Sequence, residues 1–246
     1  MYINQTNSTN TWLKEHPDCE VVWTSWQTAG RGQAGNSWES EAGKNVLFSM
    51  RLTRPQVAVN KQFALTMMTS VAVWKVVKAL LPNEDVTIKW PNDIYVGDKK
   101  ICGMLIESRI KEKAVEEAIV GIGLNVNQTE WLNGAPNPTS VQLVKGEETD
   151  IEQVSGDLEK SLRESLSLLE QPEEMKRQYL AALYRFGQKT LYAEREVSLT
   201  PSMILTGKQE GAFEAMIADV TEQGELVLQK GEKMRKYHFK EIQFIL

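Results

Sequence analysis

The side chains best suited to hold an anion lie in one short stretch of this sequence, residues 86–107. Lys89, Asn92, Asp93 and Lys100 fall there among apolar residues whose pattern predicts three short strands. A Trp-Pro pair just after Lys89 predicts a corner, because proline lacks a backbone donor and disfavours helical geometry in the residue before it. Two cations, an amide and a carboxylate are thus expected at strand ends, where they can bind an anionic ligand.

A glycine-rich loop, residues 27–38, follows the first predicted strand and carries Arg31 and Trp38. Its glycines let the backbone approach a ligand, the arginine can pair with a carboxylate or phosphate, and the tryptophan can stack on a ring. The letters Gly30-x-Gly32-x-x-Gly35 match the dinucleotide fingerprint, which requires a helix at the loop and an acidic residue about 20 positions later. A strand is predicted next, at residues 46–50, so we reject that motif. A plain flexible surface loop remains the alternative.

Two other stretches fit either a structural or a functional role. Residues 118–127 predict a strand with Gly121 and Gly123 on alternate positions, which indicates either close approach of a ligand or a bulge against a neighbouring helix. Residues 7–10 have the composition of a helix N-cap cluster, the interpretation that these residues favour by themselves.

Helical patterns fill much of the remaining chain. They predict a buried helix over residues 61–81, a helix capped by Asp150, and a helix that begins at Pro172 and runs to about residue 186. A loop is predicted over residues 128–139. Beyond residue 187, short alternating segments predict a small antiparallel barrel, with turns at Gly207, Gly211, Gly224 and Gly231.

Composition excludes several classes of protein. A net charge of -5, from 28 basic and 33 acidic residues, argues against a general nucleic-acid binder. Two cysteines and two histidines exclude a disulfide framework, a zinc pattern and a multi-histidine metal site. The N-terminus lacks the charge and apolar core of a signal peptide, and we expect no apolar run close to the roughly 20 residues of a membrane span. We therefore predict a cytoplasmic protein without nucleic-acid or membrane partners.

Taken together, four segments resemble a biotin–protein ligase, in that family's order and spacing. They are Ser8-Thr9-Asn10, residues 27–32, residues 89–93 with Lys100-x-x-Gly103, and residues 121–127. The resemblance covers residues 1 to about 130. It implies an α+β fold of the class II synthetase type, with a mixed β-sheet backed by helices as the catalytic domain over residues 1–187.

Residues 188–246 match the family's small C-terminal SH3-like barrel only by position and strand content. Only seven residues precede Ser8, so the resemblance is to family members without an N-terminal DNA-binding helix-turn-helix. A monomer and a homodimer are both compatible with it.

The resemblance implies a two-step reaction. The biotin carboxylate attacks the α-phosphate of ATP and forms biotinyl-5′-AMP, and a lysine of a biotin carboxyl carrier domain then displaces AMP. Two anions must approach each other, so cations are needed, and Mg²⁺ is expected on the phosphates rather than in a dedicated protein site.

The family's functional residues transfer by position. The biotin-binding residues are expected to be Ser8, Thr9, Asn10, Gln27, Gly30, Arg31, Gly32, Gln33, Trp90, Lys100 and Gly103. The residues expected at ATP or the adenylate are Arg31, Trp38, Asn92, Lys100, Gly121, Leu124 and Asn125. The catalytic residues are expected to be Arg31, Lys100 and Asp93.

Some of these roles have structural alternatives. Asp93 is expected to orient or deprotonate the acceptor lysine, or to bind metal through water, but it fits equally as a cap of the corner. Trp90 belongs either to the core or to the floor of the biotin pocket.

The chain departs from the family at the loop, where Gln33 and Asn36 replace two arginines of the usual pattern. We expect weaker retention of the adenylate as a result. A lipoate or octanoate ligase of related fold and a non-enzymatic biotin-binding protein are the rival hypotheses.

Overall fold

The computed structural model describes residues 1–132, 137–195 and 211–245, without the side chain of Ala34. These residues divide into two compact units, Met1–Ala182 and Leu183–Leu246, and the predicted domain boundary at residue 187 lies a few positions further on. The predicted turn at Gly207 and the part of the predicted loop at residues 133–136 fall outside the described residues.

The first unit is built on one six-stranded sheet with the order β1-β2-β6-β5-β4-β3. Its strands are β1 (Val21–Thr24), β2 (Val46–Thr53), β3 (Val86–Lys89), β4 (Asp93–Val96), β5 (Lys99–Lys111) and β6 (Ala114–Leu124). The three strands predicted over residues 86–107 are confirmed as β3, β4 and β5.

Every pairing between these named strands is antiparallel, so the predicted mixed sheet is wrong. The connections explain the difference, because a parallel crossover needs a dozen or more residues and β4 joins β5 through a two-residue turn at Gly97 and Asp98. Gly97 has a φ of 55°, a left-handed conformation that glycine adopts without strain. Parallel pairing occurs only as isolated bridges in the described chain, such as that between Tyr2 and Trp23.

Five helices accompany the sheet: α1 (Thr9–Glu15), α2 (Phe63–Leu80), α3 (Val141–Lys145), α4 (Ile151–Ser165) and α5 (Pro172–Ala181). The Asp150 carboxylate caps α4 by accepting hydrogen bonds from the backbone of Glu152 and Gln153, as predicted. Helix α5 ends earlier than residue 186, since Arg185 has a φ of 58°, which an α-helix does not accommodate.

Side chains alternate between the two faces of the sheet, and α2 covers one of them. Ser70 of α2 lies 4.0 Å from the sulfur of Met104 on β5, which identifies that side as the core face. The core face is lined by apolar residues that are at most 4% exposed: Phe48, Met50, Ile88, Ile94, Cys102, Met104, Val120 and Ile122. Helix α1 packs on the opposite face, where Leu13 meets Val22 and Ile119.

Residues 59–80 contain one segment that is long and apolar enough to cross a membrane by length and composition. The expectation that no run approaches that length is therefore wrong on those two criteria. Since 56% of the segment is buried inside the protein, it has the character of a core helix, and core helices of soluble proteins satisfy the same criteria.

The second unit is a five-stranded antiparallel sheet with the order β10-β9-β8-β7-β11. Its strands are β7 (Lys189–Glu194), β8 (Phe213–Val220), β9 (Leu226–Lys230), β10 (Lys233–Tyr237) and β11 (Ile242–Phe244). Strands β10 and β11 form its two edges and do not pair with each other in the portion that the structure describes. An antiparallel sheet is thus present, and its closure into an SH3-like barrel stays a prediction.

Candidate active site

Three glycines form a flat floor on the face of the sheet opposite α2. Gly103 of β5 pairs directly with Gly123 of β6, and Gly121 lies two positions along the same strand opposite Leu105. Other groups lie directly on this bare backbone: Trp38 of the loop on Gly103 and Gly123, and Asn10 of helix α1 on Gly121. The alternative of packing against a neighbouring helix is therefore confirmed at Gly121. A methyl group on Gly123 would lie 2.5 Å from Cε2 of Trp38. The glycines thus make room for groups that sit on the sheet.

The glycine-rich loop folds back so that Trp38 reaches this floor. The Trp38 amide donates to the carbonyl of Gly30 at 2.9 Å, and a short 3₁₀ turn at Gln33–Gly35 forms the tip of the loop. Gly35 has a φ of 85°, the left-handed conformation that glycine tolerates. The loop is therefore folded rather than extended, with its tryptophan on Gly103 and Gly123.

Two polar atoms of this loop are buried without a hydrogen-bond partner. They are Nε1 of Trp38 and Oε1 of Gln33. Buried polar groups in folded proteins are usually satisfied, so each unpaired atom marks a position where a bound group can supply the missing contact.

Lys100 lies at one end of the floor. Its Nζ is 2.8 Å from Oδ1 of Asp93 and 5.5 Å from the centre of the Trp38 ring, and it would lie 3.2 Å from a methyl group on Gly103. The side chains of Lys100 and Asp93 are 27% and 24% exposed. A cation that is partly withdrawn from water, above a bare backbone floor, can stabilise negative charge on a ligand placed there.

Asn10 covers the other part of the floor, over Gly121, with its carbonyl oxygen against the glycine. Oγ of Ser49 is 2.6 Å from Oδ1 of Asn10 and 2.7 Å from Oγ1 of Thr9. Thr9 in turn donates from its amide and its hydroxyl to Oε1 of Gln27, at 2.7 Å and 3.0 Å. Helix α1, β2 and the start of the glycine-rich loop thus converge in one largely buried polar network.

Ser8 occupies the N-cap position of α1, but its side chain makes no capping hydrogen bond. The N-cap interpretation of residues 7–10 is therefore wrong at the level of the side chain, although α1 does begin there. The hydroxyl of this buried serine is not committed to the helix, which leaves it suited to a ligand.

Arg31 binds Glu107 at the far end of the floor rather than pointing toward Lys100. Its two terminal nitrogens lie 3.2 Å and 2.9 Å from the two carboxylate oxygens of Glu107. Glu107 lies four residues beyond Gly103 on β5, roughly 13 Å along the strand. Arg31 and Lys100 thus flank the same floor on the same face of the sheet.

Glu107 also accepts hydrogen bonds from Nδ2 of Asn10 at 2.9 Å and from Nζ of Lys14 at 2.8 Å. Burial would raise the pKa of the Glu107 carboxyl, but the hydrogen bonds from Lys14, Asn10 and Arg31 outweigh burial and hold the pKa below its ordinary value. Glu107 is therefore a carboxylate at neutral pH, with two cations and one amide around it.

The remaining predicted residues surround the floor or lie beneath it. Nδ2 of Asn92 donates to the carbonyl of Met104 at 2.6 Å, which secures the corner after the cis Trp90–Pro91 bond. Trp90 and Leu124 are buried at 5% and 0% exposure, so Leu124 can present only its backbone to a ligand.

Asn125 donates from Nδ2 to the carbonyl of Thr139 at 2.9 Å. Its Oδ1 is buried and without a partner, which leaves one acceptor for a bound group.

No group of three or more histidine, cysteine or acidic side chains suited to a metal occurs among the described residues. Burial raises the pKa of the Cys102 thiol beneath the floor, so this cysteine stays protonated and apolar in character. The charged side chains around the floor are those of Arg31, Lys100, Asp93 and Glu107.

The comparisons with known proteins agree with this geometry. A model of the biotin/lipoate A/B protein ligase family matches residues 2–125, half of the chain and all of the floor. The chain belongs to this family.

Relatives of this ligase-family chain include a ligase/repressor and a biotin–[acetyl-CoA-carboxylase] ligase. The chain is 39% identical to the bifunctional ligase/repressor BirA of Bacillus spizizenii over 112 residues, which are 46% of this chain and 34% of that protein. It is 32% identical to the biotin–[acetyl-CoA-carboxylase] ligase of Paracoccus denitrificans over 132 residues, 52% of this chain and 54% of that protein. The matches thus span from a third to about half of the relatives' own lengths.

Solved structures show the same fold along the whole chain. The biotin protein ligase of Aquifex aeolicus in complex with biotin and ATP has a TM-score of 0.77 and 23% identity, covering 99% of this chain and 97% of that one. At this level of identity the likeness concerns the fold alone.

Sequence reasoning missed two polar residues that contact the groups on this floor, Ser49 and Glu107. Glu107 lies inside the stretch first singled out, and strand alternation from Gly103 assigns it to the same face. Counting alternate positions along β5 from Gly103 could therefore have identified Glu107. Ser49 lies within a strand that is buried except for its last residue, and nothing in the sequence indicates that this one small polar residue faces Thr9 and Asn10.

Proposed function

We propose that this chain is an ATP-dependent biotin–protein ligase. It forms biotinyl-5′-AMP and pyrophosphate from biotin and ATP, then transfers biotin to a specific lysine of a biotin carboxyl carrier domain. The observation that carries the proposal is the glycine floor of a ligase-family fold, with Lys100 and Arg31 at its two ends. A floor without side chains suits flat ligands, and cations at its ends suit a carboxylate and a phosphate.

The first step needs biotin to be held by its neutral ring and its acid to be turned toward ATP. Ser8, Thr9 and Gln27 offer hydroxyl and amide groups that match a ureido ring, which both donates and accepts hydrogen bonds. A carboxylate oxygen of biotin forms the new bond to the α-phosphorus, and the bond from that phosphorus to the pyrophosphate oxygen breaks. Lys100 stabilises the charge that accumulates at this centre.

The second step needs a neutral lysine amine on the carrier. A lysine with its ordinary pKa near 10.4 is protonated at neutral pH and must lose a proton before it attacks. Asp93, 2.8 Å from Lys100, is placed beside the reacting centre and can orient that amine or accept its proton. The amine nitrogen then bonds to the acyl carbon, and AMP leaves with the bonding electrons.

The nucleotide is expected against Trp38 and the end of β6. Stacking of adenine on the indole and the unpaired Oδ1 of Asn125 are the contacts that we assign to it. The absence of an acidic cluster among the described residues offers Mg²⁺ no dedicated protein cage, so in this proposal Mg²⁺ is bound by the phosphates of ATP. The chain supplies Lys100, Arg31 and the backbone floor.

The decisive experiment incubates the purified chain with ATP, Mg²⁺, biotin and a separate biotin carboxyl carrier domain. Mass spectrometry of the carrier should show addition of one biotinyl group to one lysine, dependent on ATP. A carrier whose acceptor lysine is replaced by arginine serves as the control. An unmodified carrier, with no pyrophosphate released from ATP and biotin, would refute the proposal.

Lipoate is the substrate that the family description leaves as an alternative. The same assay with lipoate or octanoate and a lipoyl domain separates the two activities, and we expect modification only with biotin. A preference for lipoate would transfer the proposal to the other branch of the family. A cytoplasmic location and a monomeric or homodimeric state stay predictions that accompany the biotin ligase proposal.

A further inference from the structure

One contact in the site has no place in the proposed reaction: the pairing of Arg31 with Glu107. The loop arginine is expected to meet an anionic substrate near Lys100, yet both of its terminal nitrogens are bound to a carboxylate of the chain itself, with a further contact from Nη2 to Oγ1 of Thr11 at 3.3 Å. The Glu107 carboxylate is thus bound to the same guanidinium that a carboxylate or phosphate of the substrate is expected to bind.

We propose that Glu107 is a positioning residue that acts as an exchangeable latch on Arg31. In the ligand-free protein it holds the arginine, and with it the adjoining part of the glycine-rich loop, at the far end of the floor. The carboxylate or phosphate of the bound substrate competes with Glu107 for the arginine and draws it toward Lys100. The proposal rests on the proposed ligase function for the identity of the competing anion.

The surroundings of Glu107 make the release of Arg31 inexpensive in free energy. When Arg31 leaves, Glu107 keeps the ammonium of Lys14 at 2.8 Å and the amide of Asn10 at 2.9 Å. No buried charge is therefore left without a partner, which is what makes the loss of an ion pair strongly unfavourable elsewhere. A purely structural ion pair would have no need of a second cation on the same carboxylate.

The strength of the pair also suits an exchangeable contact. The side chain of Arg31 is 43% exposed and that of Glu107 is 24% exposed, and exposed ion pairs shift an equilibrium by no more than about fivefold. A well-formed charge-assisted hydrogen bond to a ligand in a dry site contributes roughly ten- to a hundredfold. A bound anion is therefore expected to displace Glu107 from Arg31, whereas water is not.

Two substitutions should change the strength of the Arg31–Glu107 pair in opposite directions. Glu107→Gln removes the charge that attracts Arg31, keeps an acceptor for Asn10, and should lower the KM for biotin by up to about fivefold. Lys14→Gln removes the competing cation, leaves Arg31 as the sole cation on Glu107, and should raise that KM. The KM is measured by biotin-dependent pyrophosphate release. If Glu107 merely stabilised the fold, both substitutions would raise the KM for biotin.

The matched control is Glu116→Gln, which breaks the 2.9 Å ion pair with Arg109 on the same two strands but touches no residue of the floor. It should leave the KM for biotin unchanged. A KM raised by Glu107→Gln, or an equal change in the control, would overturn the proposal.

A second measurement does not depend on ligase activity. Trypsin cleaves after Arg31, and it reaches that bond when the loop leaves Glu107. Cleavage at Arg31 in the ligand-free protein, followed by mass spectrometry, should be faster in Glu107→Gln and slower in Lys14→Gln than in the wild type. Equal rates in all three proteins would refute the latch even if the chain ligates biotin. The expected order of rates without any biotin turnover would refute the ligase function and leave the latch in place.

Discussion

The two faces of the six-stranded sheet are built from the same strands and differ in almost every other respect. On the core face, Ile122, Met104 and their neighbours are apolar and excluded from water, and α2 packs on them. On the other face, Gly103, Gly121 and Gly123 carry no side chains. Position 122 therefore belongs to the core while positions 121 and 123 leave the backbone of the other face bare, because a strand turns successive residues to opposite sides.

The comparison shows how little of the site contributes to stability. The charged pairs of the floor are partly exposed, and pairs of this kind stabilise a fold by about 0–1 kcal/mol each. Trp38 and Asn10 lie on the glycines and bury backbone that a ligand could cover instead. The glycine floor is thus a surface that the protein covers with its own groups, whereas the core face is permanently packed with apolar side chains.

The largest contrast is expected between neighbouring substitutions on the two faces. Ile122→Ala should reduce the free energy of unfolding by about 2–5 kcal/mol, because it opens a cavity in the buried core. Gly123→Ala should cost only about 1 kcal/mol, because the half-buried Trp38 can move off the floor. It should raise the KM for biotin or ATP by roughly tenfold or more, since the new methyl group overlaps the position of Trp38. Urea unfolding and pyrophosphate release measure the two effects. A destabilisation of similar size from both changes would contradict the division between the faces.

Lys100 tests whether the polar end of the floor performs chemistry. Lys100→Ala should lower the rate of adenylation by about 10²–10³-fold, the effect typical of removing one group that stabilises transition-state charge. Its Tm should stay close to that of the wild type, because the Lys100–Asp93 pair is partly exposed. Lys99→Ala is the control, since this neighbouring residue is exposed and should retain full activity. Comparable losses in the two variants would contradict the assigned role.

The core face was largely predictable from the sequence, and the site only in part. Runs of β-branched residues around the Trp-Pro corner predicted β3, β4 and β5, and apolar periodicity predicted α2, because burial imposes a regular pattern on the chain. The predicted direction of pairing was wrong, since hydrophobic pattern reports which residues are buried and carries no information about strand direction. Turn length at Gly97 and Asp98 did carry that information.

Local motifs selected residues that lie around one floor in the structure, but those motifs did not predict how the residues are arranged. Arg31 and Lys100 were predicted to act at one centre, and the structure has Arg31 on Glu107 instead. Contacts between residues 76 positions apart depend on how the loop folds back on the sheet, and no short-range pattern encodes that. Glycine spacing in β6 was the exception, because a glycine in a strand already indicates that something lies close above it.

The loop offers a smaller test of how the site face retains its ligand. Gln33→Arg restores a cation that the family loop usually carries, at a position whose side-chain oxygen is buried without a partner. We expect the adenylate to dissociate roughly tenfold more slowly, the value of one added charge-assisted hydrogen bond. Stopped-flow measurement of biotinyl-5′-AMP release compares the variant with the wild type. An unchanged or faster release would show that this position does not reach the phosphate.

The smallest expected effect is the pH-dependent contribution of Glu107 to the free energy of unfolding. The pKa of Glu107 is lowered in the folded protein, so its contribution to stability is present above the ordinary carboxyl pKa and is lost as the pH falls through the folded value. Glu107→Gln should therefore be less stable than the wild type by less than about 1 kcal/mol at neutral pH, and the difference should vanish below that pKa. Urea unfolding of both proteins, from neutral pH to below the carboxyl pKa, measures this difference in stability. A difference that grew on acidification would mean that Glu107 is held by burial rather than by its cations.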